Sequence, residues 1–387
     1  MNKRRMALLL VILLALSIMA GCANQQPAAQ TPVTQTPATE TPTTETPATE
    51  TPAAQTPAVE TPAAPREITD MAGRVMTVPA QIDKVFSYNA ISAIYLYTLV
   101  PDLLMGWNYD LNEIEKSVIL EKYQKIPNYG MGDAINFEAV IEANPAIAFN
   151  VSAINDGTKE QSDELAKKLG VPVIMVSNKL EDAPAVYRFM GEQFGIKEQA
   201  EKLAAYAERT FSDISGMTIP EEEKVRIYYG NGEDSLETAP AGSSHGQIID
   251  LVNAVNAADL ELGDGSRIKI SAEQLLKWDP DVIIVNGEPK SSITGSAAAE
   301  SIIKNPIYAS LKAVKNGMVF GTPNAPFSWI ERPPGPNRIV GMRWLATKIY
   351  ADYFDYDVDE EVREFFRLFY HIELTAEKLT KIYNGAL

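Results

Sequence analysis

The sequence predicts an α/β protein with two lobes, each built around a mostly parallel sheet, joined by one long helix. Three observations support this prediction. Short apolar runs alternate with amphipathic helical patterns, six of these runs fall into two groups of three, and a long helical pattern without a strand partner separates the groups. Such alternation is typical of parallel sheets flanked by helices.

The first residues predict a secretion signal. Basic residues at positions 3 to 5 precede an uncharged apolar segment from Met6 to Ala20. This segment is shorter than the roughly 20 residues that span a bilayer, and small residues follow it. We therefore interpret residues 1–21 as a signal peptide that is removed.

Cys22 is the only cysteine of the chain, which excludes an internal disulfide and a multi-cysteine metal cluster. The run from Met19 to Cys22 resembles the bacterial lipobox, although the lipobox usually has Leu, Val or Ile where this chain has Met19. The resemblance implies that Cys22 is lipidated and becomes the mature N-terminus. Two or more acyl chains would hold the protein on the membrane, whereas secretion without an anchor is the alternative.

The segment from residue 22 to residue 65 consists almost wholly of Thr, Pro, Ala, Glu and Gln. It has few large apolar side chains with which to offset the entropy of ordering, and its prolines favour extended conformations. We predict a disordered tether between the lipidated cysteine and the folded part.

The remaining chain, from Arg66 to Leu387, is longer than one hydrophobic core usually serves. We expect an N-terminal lobe over 66–196, a connecting helix over 197–215 and a C-terminal lobe over 216–387. The formal net charge of −17 argues against nucleic acid or anionic lipid as a partner of the folded part. It does not exclude a small anionic ligand, because local arginine placement decides that.

Six apolar runs are the predicted strands of the two sheets. The first group is Lys84–Ser87, Ala146–Val151 and Val171–Val176, and the second is Val225–Tyr229, Val282–Asn286 and Met318–Phe320. Continuous apolar runs of this length are typical of strands that are buried on both faces.

The two groups share a local pattern of helix, stop and strand. The segment from Phe137 to Asn150 aligns with the segment from Ala272 to Val285, with Asn144-Pro145 and Asp279-Pro280 at the same position. The residue before a proline is disfavoured in the α region, so each dipeptide predicts the end of a short helix. The match favours two related lobes.

Four further helices follow from apolar periodicity and from turn signals. The connecting helix is predicted over Lys197–Ile214, and a single C-terminal helix with an apolar stripe is predicted from about Asp359 to Tyr383. The other two are predicted over Gln247–Val255 and from Arg338 to about Ile349.

These features, together with the segment from Ile68 to Pro79 that leads into Lys84–Tyr88, resemble the class III substrate-binding proteins of ABC importers. The resemblance covers essentially Arg66 to Leu387. It implies two Rossmann-like lobes and a ligand held in the cleft between them, at the carboxyl ends of the strands. Ligands of the family include iron-siderophores, haem and cobalamin, and occasionally metals or oxyanions.

The resemblance also implies candidate ligand-binding positions. In the first lobe they are Tyr88, Asn89, Trp107, Asp133 and Asn150, and in the second they are Tyr229, Asn231, Ser244, His245, Asn286, Trp329, Arg332 and Arg338. Members of the family often carry an acidic residue on the helix after the first strand for docking on the permease. The segment from Ala90 to Leu99 has none, so either other acids dock on the permease or the importer partner is unusual.

The loop from Pro326 to Arg338 is the richest in polar and aromatic residues. Arg332 offers paired donors to a carboxylate, catecholate or oxyanion, and Trp329 offers a flat apolar face. Pro336 near a helix start leaves backbone N–H groups for an anion. The alternative for Arg332 is an ion pair with Glu331 that fixes the loop.

The run Gly242-Ser-Ser-His-Gly246 fits the pattern of a hydrolase nucleophile elbow. Its context does not, because the preceding segment is polar, contains Pro240 and is no buried strand. A triad would also need His371, which is predicted inside the terminal helix. A serine hydrolase built on Ser244 is therefore the weaker hypothesis, and no catalytic residue is assigned.

His245 is either a ligand contact or part of the cap of the following helix. With only two histidines, a bare metal site would have to use acids such as Asp133 or Glu288, so no protein metal site and no cofactor are predicted. We expect a monomeric capture subunit that delivers a ferric siderophore, haem or cobalamin to a permease with a cytoplasmic ATPase. A compact oxyanion such as molybdate or tungstate, or a sensor role, are the alternatives.

Overall fold

The protein has two α/β lobes with mostly parallel sheets, as the sequence predicts. The computed structural model describes residues 64–243, 245–261, 267–288, 292–354 and 356–384, all of them within a unit that extends from Thr61 to Leu387. The predicted signal peptide, Cys22, nearly all of the tether and Ser244 lie outside the described residues.

The first lobe contains a three-stranded parallel sheet in the order β3-β4-β5 and an N-terminal antiparallel hairpin. The hairpin turn contacts the sheet, since the Met71 amide donates to the carbonyl of Met175. The strands are β1 (Arg66–Thr69), β2 (Val75–Val78), β3 (Val85–Ser87), β4 (Ile147–Ser152) and β5 (Val173–Ser177).

The second lobe contains a larger mixed sheet in the order β11-β10-β6-β7-β9, with β8 also paired to β6. Its centre is parallel, whereas β7 runs antiparallel to both neighbours. The strands are β6 (Arg226–Asn231), β7 (Glu237–Thr238), β8 (Val255–Asn256), β9 (Ile268–Lys269), β10 (Val282–Val285) and β11 (Val319–Gly321).

The six predicted strands are confirmed, with ends displaced by at most two residues. The sequence did not predict the hairpin β1-β2 or the short strands β7, β8 and β9. Two-residue strands are too short to carry a periodic pattern, and tertiary pairing decides them.

The helices pack around these sheets. In the first lobe they are α1 (Ala90–Leu99), α2 (Glu113–Val118), α3 (Glu121–Gln124), α4 (Phe137–Glu142), α5 (Asp156–Leu169) and α6 (Ala183–Phe194). The predicted connecting helix is α7 (Lys197–Ile214), followed by α8 (Gln247–Leu251), α9 (Ala272–Trp278), α10 (Gly295–Lys304), α11 (Lys312–Lys315), α12 (Asn337–Ile349), α13 (Val358–Phe369) and α14 (Ala376–Tyr383).

Two helix predictions are wrong in extent. The predicted C-terminal helix is broken into α13 and α14, and His371 lies in the turn between them with φ of +59° rather than inside a helix. The predicted helix Gln247–Val255 ends at Leu251, because Asn253 has φ of +59° and Val255 starts β8. Positive φ stops a right-handed helix, and asparagine and histidine tolerate it better than most residues.

The repeated helix, stop and strand pattern is confirmed in both lobes. Helix α4 precedes β4, and helix α9 precedes β10. The residues before the two prolines take φ of +53° at Asn144 and +43° at Asp279. Each lobe therefore ends the helix with a left-handed residue directly before a proline that cannot continue it.

A continuous hydrophobic core extends through both lobes. It includes Ile94 and Leu96 from α1, Ala204 from the connecting helix, and Phe366 and Phe369 from α13. The lobes thus share buried apolar surface.

Across the described part of the chain, no helix combines the length and the apolar character that a membrane span requires.

Candidate functional site

Two adjoining cavities lie between segments of the two lobes. The first, of about 260 Å³, is named here the arginine cavity and is lined by Asn112, Ile114, Glu115, Arg267, Asn286, Gly287, Glu288, Asn324, Pro326, Phe327, Ser328, Arg332 and Pro333. The second, of about 310 Å³, is named the isoleucine cavity and is lined by Asn112, Glu113, Ile114, Ser292, Ile293, Thr294, Gly295, Asn324, Ala325 and Ile382.

The cavities lie where parallel-sheet proteins usually bind ligands. Asn286 follows β10 directly, and Asn324 follows β11 by three residues. The first-lobe wall is the first turn of α2, whose N-cap Asn112 and Glu115 form a reciprocal capping box. Crevices outside the carboxyl ends of such strands are the common ligand sites of open α/β sheets.

Glu331 is the centre of a buried polar cluster at the wall of the arginine cavity. Its carboxylate is fully buried, accepts a hydrogen bond from the Tyr229 hydroxyl at 3.0 Å and lies 2.9 Å from Nδ1 of His245. The Arg267 guanidinium donates to both of its oxygens, and Nε of Arg332 is 3.4 Å away. One buried anion therefore contacts two arginines and a histidine, and it holds Arg267 through two hydrogen bonds.

The charge of Glu331 is stabilised by these neighbours. Burial by itself would raise the pKa of the carboxyl, but the contacts with His245 and Arg267 outweigh burial and lower the pKa to about 2. Glu331 in turn raises the pKa of Arg267 against the opposing effect of burial. The Glu331 carboxylate and the Arg267 guanidinium therefore stay charged at neutral pH.

The two arginines of this cluster differ in exposure. The side chain of Arg267 is 18% exposed, whereas that of Arg332 is 50% exposed, and both line the arginine cavity. A guanidinium can donate two parallel hydrogen bonds to a carboxylate or a similar anion. Arg332 is the more accessible of the two to a ligand that enters the cavity.

The predicted first-lobe residues are mostly occupied by structural contacts. Asn89 caps α1 and donates to the side chain of Asn150 at 3.1 Å, and Asn150 donates to Ser162. The buried Trp107 donates from Nε1 to the carbonyl of Tyr123. Tyr88 is half-buried and Asp133 is exposed in the loop after Gly132.

In the second lobe Asn286 and Arg332 line the arginine cavity, whereas Tyr229 and His245 contact Glu331 and do not line it. Asn231 follows on the same strand as Tyr229 and is fully buried. Asn286 accepts from the Thr322 hydroxyl at 3.0 Å and lines the cavity. Ser244 lies outside the described residues.

Trp329, which is predicted to offer a flat apolar face to the ligand, lies inside the core of this structure. Its ring is fully buried, packs against Phe366 and Tyr383, and donates from Nε1 to the carbonyl of Ala325. A large aromatic side chain gains most free energy when all of its surface is removed from water. In this structure Trp329 stabilises the loop from inside the core.

Arg338 and the start of α12 also differ from the predicted anion site. Arg338 is buried and donates to Gln247 at 3.0 Å and to the carbonyl of Pro334. Gln247 donates in turn to Glu181 of the first lobe at 2.8 Å. Arg338 therefore belongs to a hydrogen-bonded link between the lobes, and its own amide is taken by the carbonyl of Gly335.

Sequence reasoning missed Arg267, Asn324 and the α2 turn, and it treated Glu331 only as a possible partner of Arg332. Arg267 precedes a two-residue strand and carries no motif, so nothing in the sequence distinguished it from a surface arginine. Glu331 is flanked by Ile330 and Arg332, a pattern that does not indicate full burial. Only the folded chain brings these residues together.

The described residues contain no group of three or more His, Cys, Asp and Glu side chains that could hold a metal ion. The cavities offer the two arginines, amides and apolar walls, and the side chains of Glu113, Glu115 and Glu288 also line them. They are suited to a ligand with a sizeable body whose anionic groups can meet the arginines.

The chain is similar to known binding proteins. A family model described as a periplasmic binding protein matches residues 107–326. An Fe(3+)-citrate-binding protein of Bacillus subtilis is 30% identical over 124 residues, which are 32% of this chain and 36% of that protein. A high-affinity haem uptake protein of Staphylococcus aureus is 22% identical over 208 residues, 53% of this chain and 69% of that protein.

Among solved structures, a solute-binding protein of an ABC transporter from Sulfurospirillum deleyianum is similar to this chain with a TM-score of 0.73 and 25% identity. The match covers 82% of this chain and 99% of that one. The likeness thus extends over both lobes, whereas the chain spans little more than a third of the length of the ferric citrate relative.

Proposed function

Because the chain belongs to the periplasmic binding protein family, we propose that it is the extracytoplasmic capture subunit of an ABC importer and that it binds an anionic metal chelate. The ligand occupies the cavities between the lobes and is delivered to a permease coupled to a cytoplasmic ATPase. The ferric citrate and haem relatives support a chelated iron as the cargo.

The observation that carries the proposal is the cluster on Glu331 at the edge of the arginine cavity. Arg267 and Arg332 line this cavity, and the buried carboxylate orients Arg267 through two hydrogen bonds and lies 3.4 Å from Nε of Arg332. Preoriented cations bind an anion with little further loss of side-chain entropy. Carboxylate, catecholate and propionate groups of iron chelates all fit such donors.

His245 has a proposed role beside the arginines. Its Nδ1 lies 2.9 Å from Oε1 of Glu331, the carboxylate that also contacts both arginines. An imidazole ring can exchange hydrogen bonds or bind a metal, and we propose that His245 supports the ligand site from this position.

A compact oxyanion is the second candidate, because two arginines and a histidine converge on one carboxylate. The size of the two cavities favours the chelate over the oxyanion. The arginine cavity continues into the isoleucine cavity, so a small tetrahedral anion would leave most of the volume to water. Apolar walls such as Ile114 and Ile293 favour a larger body.

Lipid anchoring through Cys22 is part of the proposal. The apolar segment before it and the proline-rich segment after it fit an anchored protein on a tether. Replacing Cys22 with serine is expected to move the protein from the membrane fraction to the medium or soluble fraction, and incorporation of labelled palmitate should cease.

The direct test is a binding panel on the purified protein. Thermal shifts and calorimetry are measured with ferric citrate, a ferric hydroxamate, haemin, cobalamin, molybdate and free Fe³⁺. A ligand at about 100 times its Kd stabilises the folded state by about 2.7 kcal/mol, which gives a clear shift. Binding confined to molybdate would favour the second candidate, and no shift with any compound would contradict the proposal.

A further inference from the structure

The two cavities differ in the charge of their walls. Arg267 and Arg332 line the arginine cavity, whereas the described residues that line the isoleucine cavity include no lysine, arginine or histidine. The charged side chain among them is that of Glu113, which is 90% exposed and lies 2.8 Å from Nζ of Lys116. An anionic group of a ligand can therefore meet a cation in the arginine cavity, but no cationic side chain of the described wall meets it in the isoleucine cavity.

The N-terminus of α10 also lies at the isoleucine cavity, where Thr294 and Gly295 line the wall. The hydroxyl oxygen of Thr294 caps the helix, since it accepts a hydrogen bond from the Ala297 amide at 3.1 Å. Gly295 is packed so closely on the next segment that a Cβ atom would lie 2.7 Å from the carbonyl oxygen of Thr322. The cap of this helix is thus supplied by its own threonine.

Ile114 lies where the two cavities join, because it lines both of them. Its side chain is partly exposed and also packs against the hydrophobic core. The capping box of Asn112 and Glu115 fixes the helical turn that carries it. Ile293 of the second lobe is likewise partly exposed and lines the isoleucine cavity. A ligand that covers these two side chains gains the free energy of removing their remaining apolar surface from water.

We propose that the site selects amphipathic chelates, whose anionic groups are confined to one end and whose other end is an apolar body in contact with Ile114 and Ile293. The inference rests on the proposed function and narrows its ligand class. The anionic end meets Arg332 in the arginine cavity, and the apolar body extends past Ile114 into the isoleucine cavity. A chelate with carboxylates on all sides does not fit, because some of them would lie against apolar walls without a cation.

Two energetic effects of different size support this selection. Loss of the contact with one isoleucine side chain weakens the binding of an apolar body by roughly 3- to 10-fold in Kd. A carboxylate that leaves water for an apolar wall without a partner loses more than such a contact gains, which corresponds to at least about 10-fold in Kd.

The first part of the test varies the ligand on the purified protein. Haemin carries its propionates on one edge of an apolar ring, and ferric uroporphyrin carries carboxylates on every side of the same ring. Ferric citrate carries carboxylates and has no apolar body. Calorimetric Kd values are measured for all of them, and haemin is expected to bind at least about 10-fold more tightly than either of the others.

The second part varies the protein and uses haemin as the probe. Ile114→Ser and Ile293→Ser should each raise the haemin Kd roughly 3- to 10-fold, whereas Ile114→Leu, which keeps the apolar surface, should stay within about 2-fold of wild type. Ile141→Ser, at an exposed isoleucine of α4 that lines neither cavity, is the matched control and should bind haemin as wild type does. Thermal unfolding without ligand verifies that each variant is folded.

The proposal is overturned if wild type binds haemin no more tightly than ferric uroporphyrin or ferric citrate. It is also overturned if folded Ile114→Ser and Ile293→Ser proteins both bind haemin as wild type does. Binding of ferric citrate without haemin contradicts the amphipathic ligand class and leaves the proposed function intact. If wild type binds none of these chelates and no other compound of the panel, the proposed function is wrong and this inference fails with it.

Discussion

At the scale of single residues, the decisive feature is the fully buried Glu331. A lone buried carboxylate would be protonated or would unfold its surroundings, since burial of a charge costs several kcal/mol. Tyr229, His245 and Arg267 supply the compensating contacts. The arginines at the cavity thus contact an anion that is itself fully buried and does not line the cavity.

Replacing Glu331 with glutamine should therefore be costly. The change leaves Arg267 and His245 without their anion, and we expect the free energy of unfolding to fall by about 3 kcal/mol. Urea denaturation followed by circular dichroism measures the change. Glu273→Gln, at an exposed position on α9, serves as the control and should change stability by less than about 0.5 kcal/mol.

The pH dependence of the same residue has a defined sign. The pKa of Glu331 lies near 2 in the folded protein and at an ordinary 4.5 in the unfolded chain. Its stabilising contribution is complete above 4.5 and is lost as the pH falls toward 2. Wild type and Glu331→Gln should therefore converge in stability at acidic pH.

Arg332 is expected to act on the ligand rather than on the fold, because half of its side chain is exposed. Arg332→Ala should raise the Kd of the bound chelate roughly 10- to 100-fold, as expected for a charged hydrogen-bonding group. Calorimetry measures the Kd and a thermal scan measures stability. Arg367→Ala, at an exposed position of α13, should leave both unchanged. If Arg332→Ala and Arg367→Ala had equal Kd values for the chelate, Arg332 would not be a ligand contact.

His371 gives a second pH-dependent prediction. Burial lowers the pKa of its ring, against the opposing contact with the carbonyl of Tyr97. The histidine is protonated near pH 6.5 in the unfolded chain but only at lower pH in the folded protein. The unfolded state therefore binds more protons in this range, and the free energy of unfolding decreases as the pH falls below about 6.5. His371→Asn, which tolerates the positive φ, should show a smaller fall in melting temperature between pH 7 and pH 5. Identical slopes would contradict this.

At the scale of elements, helix α12 is pressed against the loop that precedes it. A Cβ atom at Gly341 would lie 1.8 Å from the carbonyl oxygen of Trp329, so only glycine fits. This close approach positions the segment that carries Glu331 and Arg332. The sequence pattern of α12 does not predict this close approach, because Gly341 contacts a backbone carbonyl and not a side chain.

Two glycine substitutions test this packing, because they should change the free energy of unfolding in opposite directions. Gly341→Ala should lower the free energy of unfolding by about 3 kcal/mol, because the backbone must shift. Gly157→Ala, at an exposed position of α5 where the nearest atom is 3.4 Å away, should raise it by about 0.5 kcal/mol. Chemical denaturation of the two variants measures both changes in the free energy of unfolding. A Gly341→Ala protein as stable as wild type would contradict the packing argument.

At the scale of the whole molecule, the two lobes are not independent cores. The C-terminal helices contribute Phe366 and Tyr370 to the same cluster as Tyr97 of the first lobe, and Tyr97 and Tyr370 are 5.9 Å apart between ring centroids. The link from Glu181 through Gln247 to Arg338 adds polar contacts at the same junction. Separating the lobes would expose this shared surface.

The shared core predicts one cooperative unfolding transition for both lobes. Far-UV circular dichroism reports all helices, whereas tryptophan fluorescence reports Trp107 in the first lobe and Trp278, Trp329 and Trp344 in the second. The two urea curves should coincide within error. A second transition seen by one probe alone would show that the lobes unfold separately.

The sequence by itself determined the α/β class, the six central strands, the connecting helix and the repeated stop before proline in each lobe. These features depend on local pattern, since apolar periodicity and the restriction before proline act within a few residues. The sequence also located the loop that contains Glu331 and Arg332, because prolines and aromatic residues concentrate there.

Only the tertiary structure decided which side chains of that loop face the cavity. Trp329 is enclosed by α13, Arg338 is engaged by Gln247, and Arg332 remains half exposed. The site also contains Arg267, Asn324 and the first turn of α2. These residues lie far apart in the chain, and no sequence motif marks them. Burial and hydrogen-bond partners depend on contacts between residues far apart in the chain, and local patterns do not encode those contacts.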